Sequence, residues 1–359
     1  MRRFRVMGVC LVAFAGLSPL VAGACTTFCL KEGDAVVFGR NFDFPAGEGQ
    51  IHINQRGIRK TALIAAPEKP LTWTAAYGSL SFNQNGREFP YGGMNEAGLV
   101  IEQMMHEDQA GGYPAPDERH GLEELQWIQY QLDMSATVAQ VIASDATVRI
   151  SRDSIAPLHF LASDAQGNVA VIEYVGGRMV VHAGEDLRCA ALANTTYDLS
   201  LEYLAKLDAA GSARSRARTQ SSLDRFVTAA EMAAAYDRAD GPPVEYAFSI
   251  LGRVSNSGTQ WSIVYDSRDR TIHYRTRANN ATRRLAMSMF DFSCPSPWLC
   301  VDIEKNARGR EDFETYTYED NLKLIETVWN SVDFLRPLPQ DTRLAWARYP
   351  DSVVCAGAE

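Results

Sequence analysis

Three arginines, an apolar run and a small-residue triplet precede Cys25, and this junction fixes where any fold of the chain must begin. Arg2, Arg3 and Arg5 are followed by the apolar stretch Val6 to Leu17, which is short for a bilayer span. Ala22-Gly23-Ala24 then supplies small residues where a signal peptidase cuts. Residues 1–24 therefore read as a secretory leader, with Cys25 as the first residue of the mature chain. The export this implies would take the protein to the periplasm or out of the cell.

A cysteine at a chain terminus carries a thiol and a free α-amine on one residue. The amine has a reference pKa of about 8, so near neutral pH a fraction is unprotonated and can take the thiol proton. Such a residue can supply both nucleophile and general base. A second reading is lipid anchoring, in which both groups are blocked and the protein is a non-catalytic binding protein. Ala22 stands where a lipoprotein signal usually has Leu. A third reading is an ordinary structural cysteine. The junction alone leaves all three open.

Removal of the leader leaves 335 residues, enough for one large domain. The formal net charge of −9 falls to −12 once the three leader arginines are gone. That balance argues against a nucleic-acid partner, and no polybasic patch marks a membrane surface. No later apolar stretch is long enough to cross a bilayer. Six cysteines follow the leader, and export permits disulfides. Cys294 and Cys300 flank a short loop, Pro295 to Leu299, that a bridge would close. No zinc-type spacing is present, and neither His106 nor His120 has ligand partners nearby in sequence, so no metal site is expected.

The residues from Cys25 to Leu30 and from Ala35 to Phe38 read as strands joined by a Gly33-Asp34 hairpin turn. Cys25 then sits at the end of a sheet. A helix is predicted from Gly121 to Met134, with Leu122, Leu125, Ile128 and Leu132 on one face and Trp127 and Tyr130 as packing residues. Thr137 and Gln140 resemble a capping box opening a second helix. Strands are predicted at His159 to Ala162, Val169 to Val175 and Met179 to His182. Further helices are expected at Leu199 to Leu207, Ser222 to Tyr236 and Tyr318 to Val332. The link between the first two, with Arg214, Arg216 and Arg218, reads as a solvated loop. Trp261 to Tyr265 and Thr271 to Tyr274 form a late hairpin. With no repeat or linker between them, these elements suggest one domain of stacked sheets with helices outside.

A self-activating thiol needs an acid to hold its amine, a cation near its sulfur and donors for an oxyanion. Gly39-Arg40-Asn41-Phe42-Asp43 offers the first two. Strand alternation would separate Arg40 from Asp43 unless the strand bends or ends there, which Pro45 favours. Two turn-like asparagines, Asn95 in Met94-Asn95-Glu96-Ala97-Gly98-Leu99 and Asn194 before Thr195, also stand out.

Cys25 after its leader, the Arg40–Asp43 segment, the Asn95 turn, Asn194-Thr195 and Arg225-Phe226-Val227 occur in the order seen in the choloylglycine hydrolase family, which this chain resembles across most of its mature length. The family contains penicillin V acylases and conjugated bile salt hydrolases, which are N-terminal nucleophile hydrolases. The resemblance implies an α+β fold, a four-layer αββα sandwich, and cofactor-free hydrolysis of linear amide C–N bonds through an acyl-thioester on Cys25. By the same resemblance Asp43 holds the amine, Arg40 lies against the sulfur, Asn194 and Asn95 form the oxyanion hole, and Arg225 supports the network. The acyl pocket is expected to draw on Phe42, Phe44 and Trp261. Only 31 positions separate Asn194 from Arg225, where many members carry a longer insertion that helps tetramers assemble. The short link looks more like Gram-negative members and argues against that tetramer, leaving the homo-oligomeric state open. The expected substrates are small N-acyl compounds of the penicillin V or N-acyl homoserine lactone type, with conjugated bile salts as the alternative.

Overall fold

The described chain begins as a hairpin in a computed structural model that covers residues 25–107, 112–209 and 221–356. The leader and the three arginines of the 210–220 link lie outside the described residues. β1 (Thr26–Glu32) pairs antiparallel with β2 (Ala35–Asp43), from Thr26 opposite Asn41 to Glu32 opposite Ala35. Gly33 turns the corner at φ 56°, in line with the hairpin expected at Gly33-Asp34. β2 runs five residues past the expected end, which carries Arg40 and Asp43 into the sheet.

Two antiparallel sheets stack on each other. The six-stranded one runs in the order Ala191–Leu192, β1, β2, Thr259–Asp266, Thr271–Thr276, Arg283–Ala286. The nine-stranded one is centred on Leu158–Ser163, Val100–Met105, Pro90–Asn95 and Ser79–Asn83, in that order. Rings bridge them: Phe82 meets Tyr265 at 6.2 Å and Tyr274 at 5.9 Å, both edge-on. Alternating apolar side chains on the two inner faces build this core.

Seven helices complete the described residues: α1 (Glu124–Met134), α2 (Val138–Ala143), α3 (Tyr197–Ala209), α4 (Ser222–Ala235), α5 (Pro243–Val254), α6 (Tyr318–Ser331) and α7 (Gln340–Arg348). α4 and α5 cover β1 and β2, while α1 covers Pro90–Asn95 and Val100–Met105. The layers are therefore helix, sheet, sheet, helix, an α+β αββα sandwich. Buried apolar side chains form one cluster from Cys25 to Val353.

Several elements differ from the sequence reading. α1 begins at Glu124, because His120–Leu122 pairs as a parallel strand with Val148–Ile150 and Glu123 caps the helix by accepting from the Leu125 and Gln126 N–H groups. Trp127 and Tyr130 are packing residues, against Phe160 at 4.5 Å and Trp73 at 5.8 Å. Thr137 caps α2 from its hydroxyl, but the reciprocal Gln140 Oε1 accepts from Ala136 N, one residue before the cap. α5 and α7 have no counterpart among the helices expected from sequence. No described helix is long and apolar enough to cross a membrane.

The expected Cys294–Cys300 bridge is replaced by Cys294–Cys355, with Cα atoms 5.6 Å apart. Cys300 is locked in the strand Leu299–Asp302 opposite His52 and stays a buried free thiol. Cys355 reaches Cys294 because the short strand Val354–Cys355 pairs with Ile58 and Arg59, next to Gly57, whose carbonyl lies 3.3 Å from Cys294 Sγ.

Candidate active site

Cys25 immediately precedes β1 and is 3% exposed, at the edge of the space between the sheets. Its Sγ donates to the Asp43 carbonyl at 3.8 Å, and Arg40 Nη2 lies 3.9 Å from the sulfur. Burial pushes the thiol pKa above its ordinary value, and the Arg40 charge only partly opposes this. A cation alone therefore leaves this thiol protonated near neutral pH, and its use as a nucleophile requires a base.

Arg40 is itself fully buried and held from three sides. Nη2 donates to Gln103 O at 3.2 Å, and Nη1 pairs with the Glu102 carboxylate, which also accepts from Tyr265 Oη. Burial pushes Glu102 up to about 7, against the pull of Arg40. Gly92 makes room for this group, since a Cβ there would overlap the Glu102 carboxylate.

Arg40 and Asp43 keep the strand alternation, Arg40 reaching Glu102 in the other sheet and Asp43 reaching Asn256 on the side where Asn41 bonds Leu251 O of α5. Both lie beside Cys25 because it stands at the end of the hairpin. Asp43 pairs with Thr259 and Phe42 with Trp261, so Gln260 is an extra residue in the facing strand. Such a bulge twists the strand end. Asp43 Oδ2 accepts from Asn256 Nδ2 at 2.6 Å, while buried Oδ1 has no hydrogen-bond partner among the described residues. Burial raises this carboxyl to about 6, against the nearby Thr259 hydroxyl, the Asn256 amide and the charge of Arg225.

Asn194 and Arg225 complete the group. Asn194 Nδ2 donates to Met105 O at 2.7 Å, and its Oδ1 accepts from Arg225 Nη2 at 2.8 Å. Arg225 reaches across from α4, its Nε donating to Thr26 Oγ1 at 3.0 Å and its Nη2 to the Cys25 carbonyl at 3.4 Å. Asn95 is elsewhere. Its Oδ1 accepts from the N–H groups of Ala97 and Leu99, and its Nδ2 donates to the carbonyls of Leu132 and Ser135. Those four bonds fasten its own turn to the end of α1, so Asn95 is no part of an oxyanion hole.

A narrow cleft opens beside Cys25 and Asp43. Phe42 and Phe44 line it, stacked 5.3 Å apart, as do Tyr91, Leu125 and Leu158. Trp261 does not. It stacks behind Phe42 at 4.4 Å and donates from Nε1 to Gly47 O, so it supports the wall from the core side.

Sequence reading misses Glu102, Tyr265, Asn256 and Thr259. Glu102 has a signal, a lone charge within the largely apolar strand Val100–Met105. Also missed is a cluster behind Asn194. His159 Nδ1 is 2.9 Å from Glu173 Oε1, and its Nε2 is 2.7 Å from the carbonyl of Ala193, the neighbour of Asn194. His106, which lacks partners nearby in sequence, is brought against both, with donor atoms of the three within 4.8 Å of one another.

Two solved structures share this fold of paired sheets covered by helices. One is a penicillin V acylase from Agrobacterium tumefaciens (TM-score 0.70, 24% identity, covering 82% of this chain and 98% of that one). The other is a mutant conjugated bile acid hydrolase from Clostridium perfringens (TM-score 0.62, 17% identity, 82% and 97%). A penicillin V acylase from Pectobacterium atrosepticum is 25% identical over 305 residues, covering 73% of this chain and 80% of that protein. Residues 25–299 match the model of the linear amide C–N hydrolases, choloylglycine hydrolase family. The chain belongs to that family and is a hydrolase of non-peptide C–N bonds in linear amides.

Proposed function

We propose that this protein is an exported, cysteine-dependent acylase in which removal of residues 1–24 arms Cys25. The observation that carries the reading is the buried Cys25 thiol, with Arg40 Nη2 at 3.9 Å and an unpartnered Asp43 oxygen beside it, at the mouth of an apolar cleft. Because burial raises the thiol pKa, the new α-amine is the base the site needs, and Asp43 is the carboxylate that orients it. The amine takes the thiol proton as Sγ attacks the acyl carbonyl. Asn194 Nδ2 stabilises the oxyanion, worth roughly 10²–10³ in rate for a donor of this kind. The protonated amine then passes its proton to the leaving nitrogen, and the C–N bond breaks to give an acyl-thioester and the free amine product. Water, deprotonated by the same α-amine, attacks the thioester to release the carboxylic acid and restore the thiol.

The cleft favours a single aryl ring or a straight acyl chain lying along Phe42 and Phe44, which supports penicillin V or N-acyl homoserine lactones over the fused rings of a bile acid. Anchoring of a lipid on Cys25 would place a diacylglyceryl group on a sulfur that lies between Arg40 and the Asp43 carbonyl, which favours the catalytic reading.

A panel of N-acyl amides, with release of the amine as readout, tests the reading. Mature enzyme should hydrolyse at least one of them, and Cys25→Ala should abolish this while keeping its thermal unfolding transition. Retained hydrolysis in Cys25→Ala, or an intact mass showing a diacylglyceryl group on Cys25, would overturn the proposal.

A further inference from the structure

The family match ends at residue 299, yet one end of the cleft is built from chain beyond it. Phe334 and Leu335, which follow α6, and Trp346 on α7 all face the cleft that holds Cys25. We infer that this C-terminal segment is the acyl-selectivity element of the enzyme: Phe334, Leu335 and Trp346 form the end wall that limits how long or bulky an acyl group can be. The inference rests on the acylase reading above and names what that reading leaves open.

The wall is fixed to the body of the protein. Trp329 on α6 donates from Nε1 to Asn85 Oδ1 at 2.8 Å, and Asn85 itself lines the cleft. Asn321 Oδ1 accepts from Arg87 N at 2.9 Å. Trp346 stacks on Phe89 at 4.3 Å with the rings 10° from parallel. Beyond α7 the chain is tied back by the Cys294–Cys355 bridge. A wall held this way has a defined shape, because packed interiors resist displacement.

Its position follows the path an acyl group would take. Phe42 adjoins Asp43 and stacks with Phe44, and Phe44 meets the Phe334 ring edge-on at 6.4 Å. An acyl chain on Cys25 Sγ would pass these two rings and meet the wall. The wall side chains are apolar, so a terminus carrying charge would be desolvated without a partner and rejected. The class admitted is thus uncharged acyl groups, aryl or alkyl, of limited length.

Two opposed substitutions test this. Hexanoyl and dodecanoyl amides of one chromogenic amine are compared by kcat/KM in wild type, Phe334→Ala and Phe334→Trp. Phe334→Ala should raise the dodecanoyl-to-hexanoyl ratio by about tenfold, and Phe334→Trp should lower it, since a methylene in an apolar pocket is worth roughly 10–200-fold. The rate of Cys25 alkylation by iodoacetamide should be the same in all three, a readout that general damage to the fold would change. Ratios that stay within about twofold of wild type, or that move the same way in both variants, would overturn the inference while leaving the acylase reading intact. Failure of wild type to hydrolyse any amide would instead remove the reading and the inference together.

Discussion

Asn95 and Asn194 look alike in sequence, each a turn asparagine beside a short apolar run, and the fold gives them different partners. Asn95 makes all four of its hydrogen bonds to backbone groups of its own turn and of the α1 C-terminus. Asn194 donates from Nδ2 to Met105 O and is bonded through Oδ1 to Arg225, which in turn holds the Cys25 carbonyl. The lesson is that an asparagine's role is set by what its amide faces. One bonded wholly to carbonyls and N–H groups of a turn has nothing left to offer a substrate.

The contrast predicts a dissociation in kcat. Asn194→Ala should lower kcat by roughly 10²–10³, as expected of the proposed oxyanion donor, with a stability cost besides because Met105 O and Arg225 lose a buried partner. Asn95→Ala should cost about 3 kcal/mol of stability because it leaves buried backbone donors and acceptors unpaired. Its kcat per folded molecule should match wild type. Steady-state kinetics and denaturant unfolding on both variants check the pair, and a kcat collapse in Asn95→Ala would break the comparison.

A pH profile sharpens the catalytic half. On the proposed mechanism Asp43 holds the amine only as a carboxylate, and burial raises it to about 6. The acid limb of kcat/KM should therefore fall near pH 6, by about tenfold per unit below it. The stability sign is opposite to that of a salt-bridged carboxylate. Because the folded pKa lies above 3.8, the contribution of Asp43 is fully present below 3.8 and is lost as pH rises through about 6. Asp43→Asn should abolish activity yet be more stable than wild type at pH 8, by at most about 3 kcal/mol. The smallest effect belongs to the other asparagine's turn. Gly98 sits at φ 85°, with the Ser267 carbonyl 2.5 Å from where a Cβ would fall. Gly98→Ala should cost about 1–2 kcal/mol in unfolding experiments and leave kcat unchanged.

Much of this site is legible in the sequence, for a physical reason. Cys25, Arg40 and Asp43 lie on one hairpin, so local strand signals already place them close together. Asn194 and Arg225 come only with the family resemblance, since no local pattern predicts that α4 returns to β1. Glu102 is hidden because its partner Arg40 is 62 residues away, although a charge within an apolar strand invites a search for one. The disulfide is misleading in sequence because the short loop between Cys294 and Cys300 suggests closure, whereas strand register decides which sulfur points where. α5 hides behind Gly241-Pro242-Pro243, a loop-like run whose last proline in fact opens the helix, where its missing N–H costs nothing.

Arg225 bonds to a residue 200 positions before it, and the strand beginning at Thr259 pairs with Asp43. Synthesis delivers Cys25, Arg40 and Asp43 early, yet Asn194 and Arg225 arrive only after more than half the chain has left the ribosome. Contacts of such long sequence separation form late and slowly. The Cys25 thiol therefore travels through the early life of the polypeptide without the full set of groups that surround it in the fold. Completion of the chain acts as a timer on its chemistry.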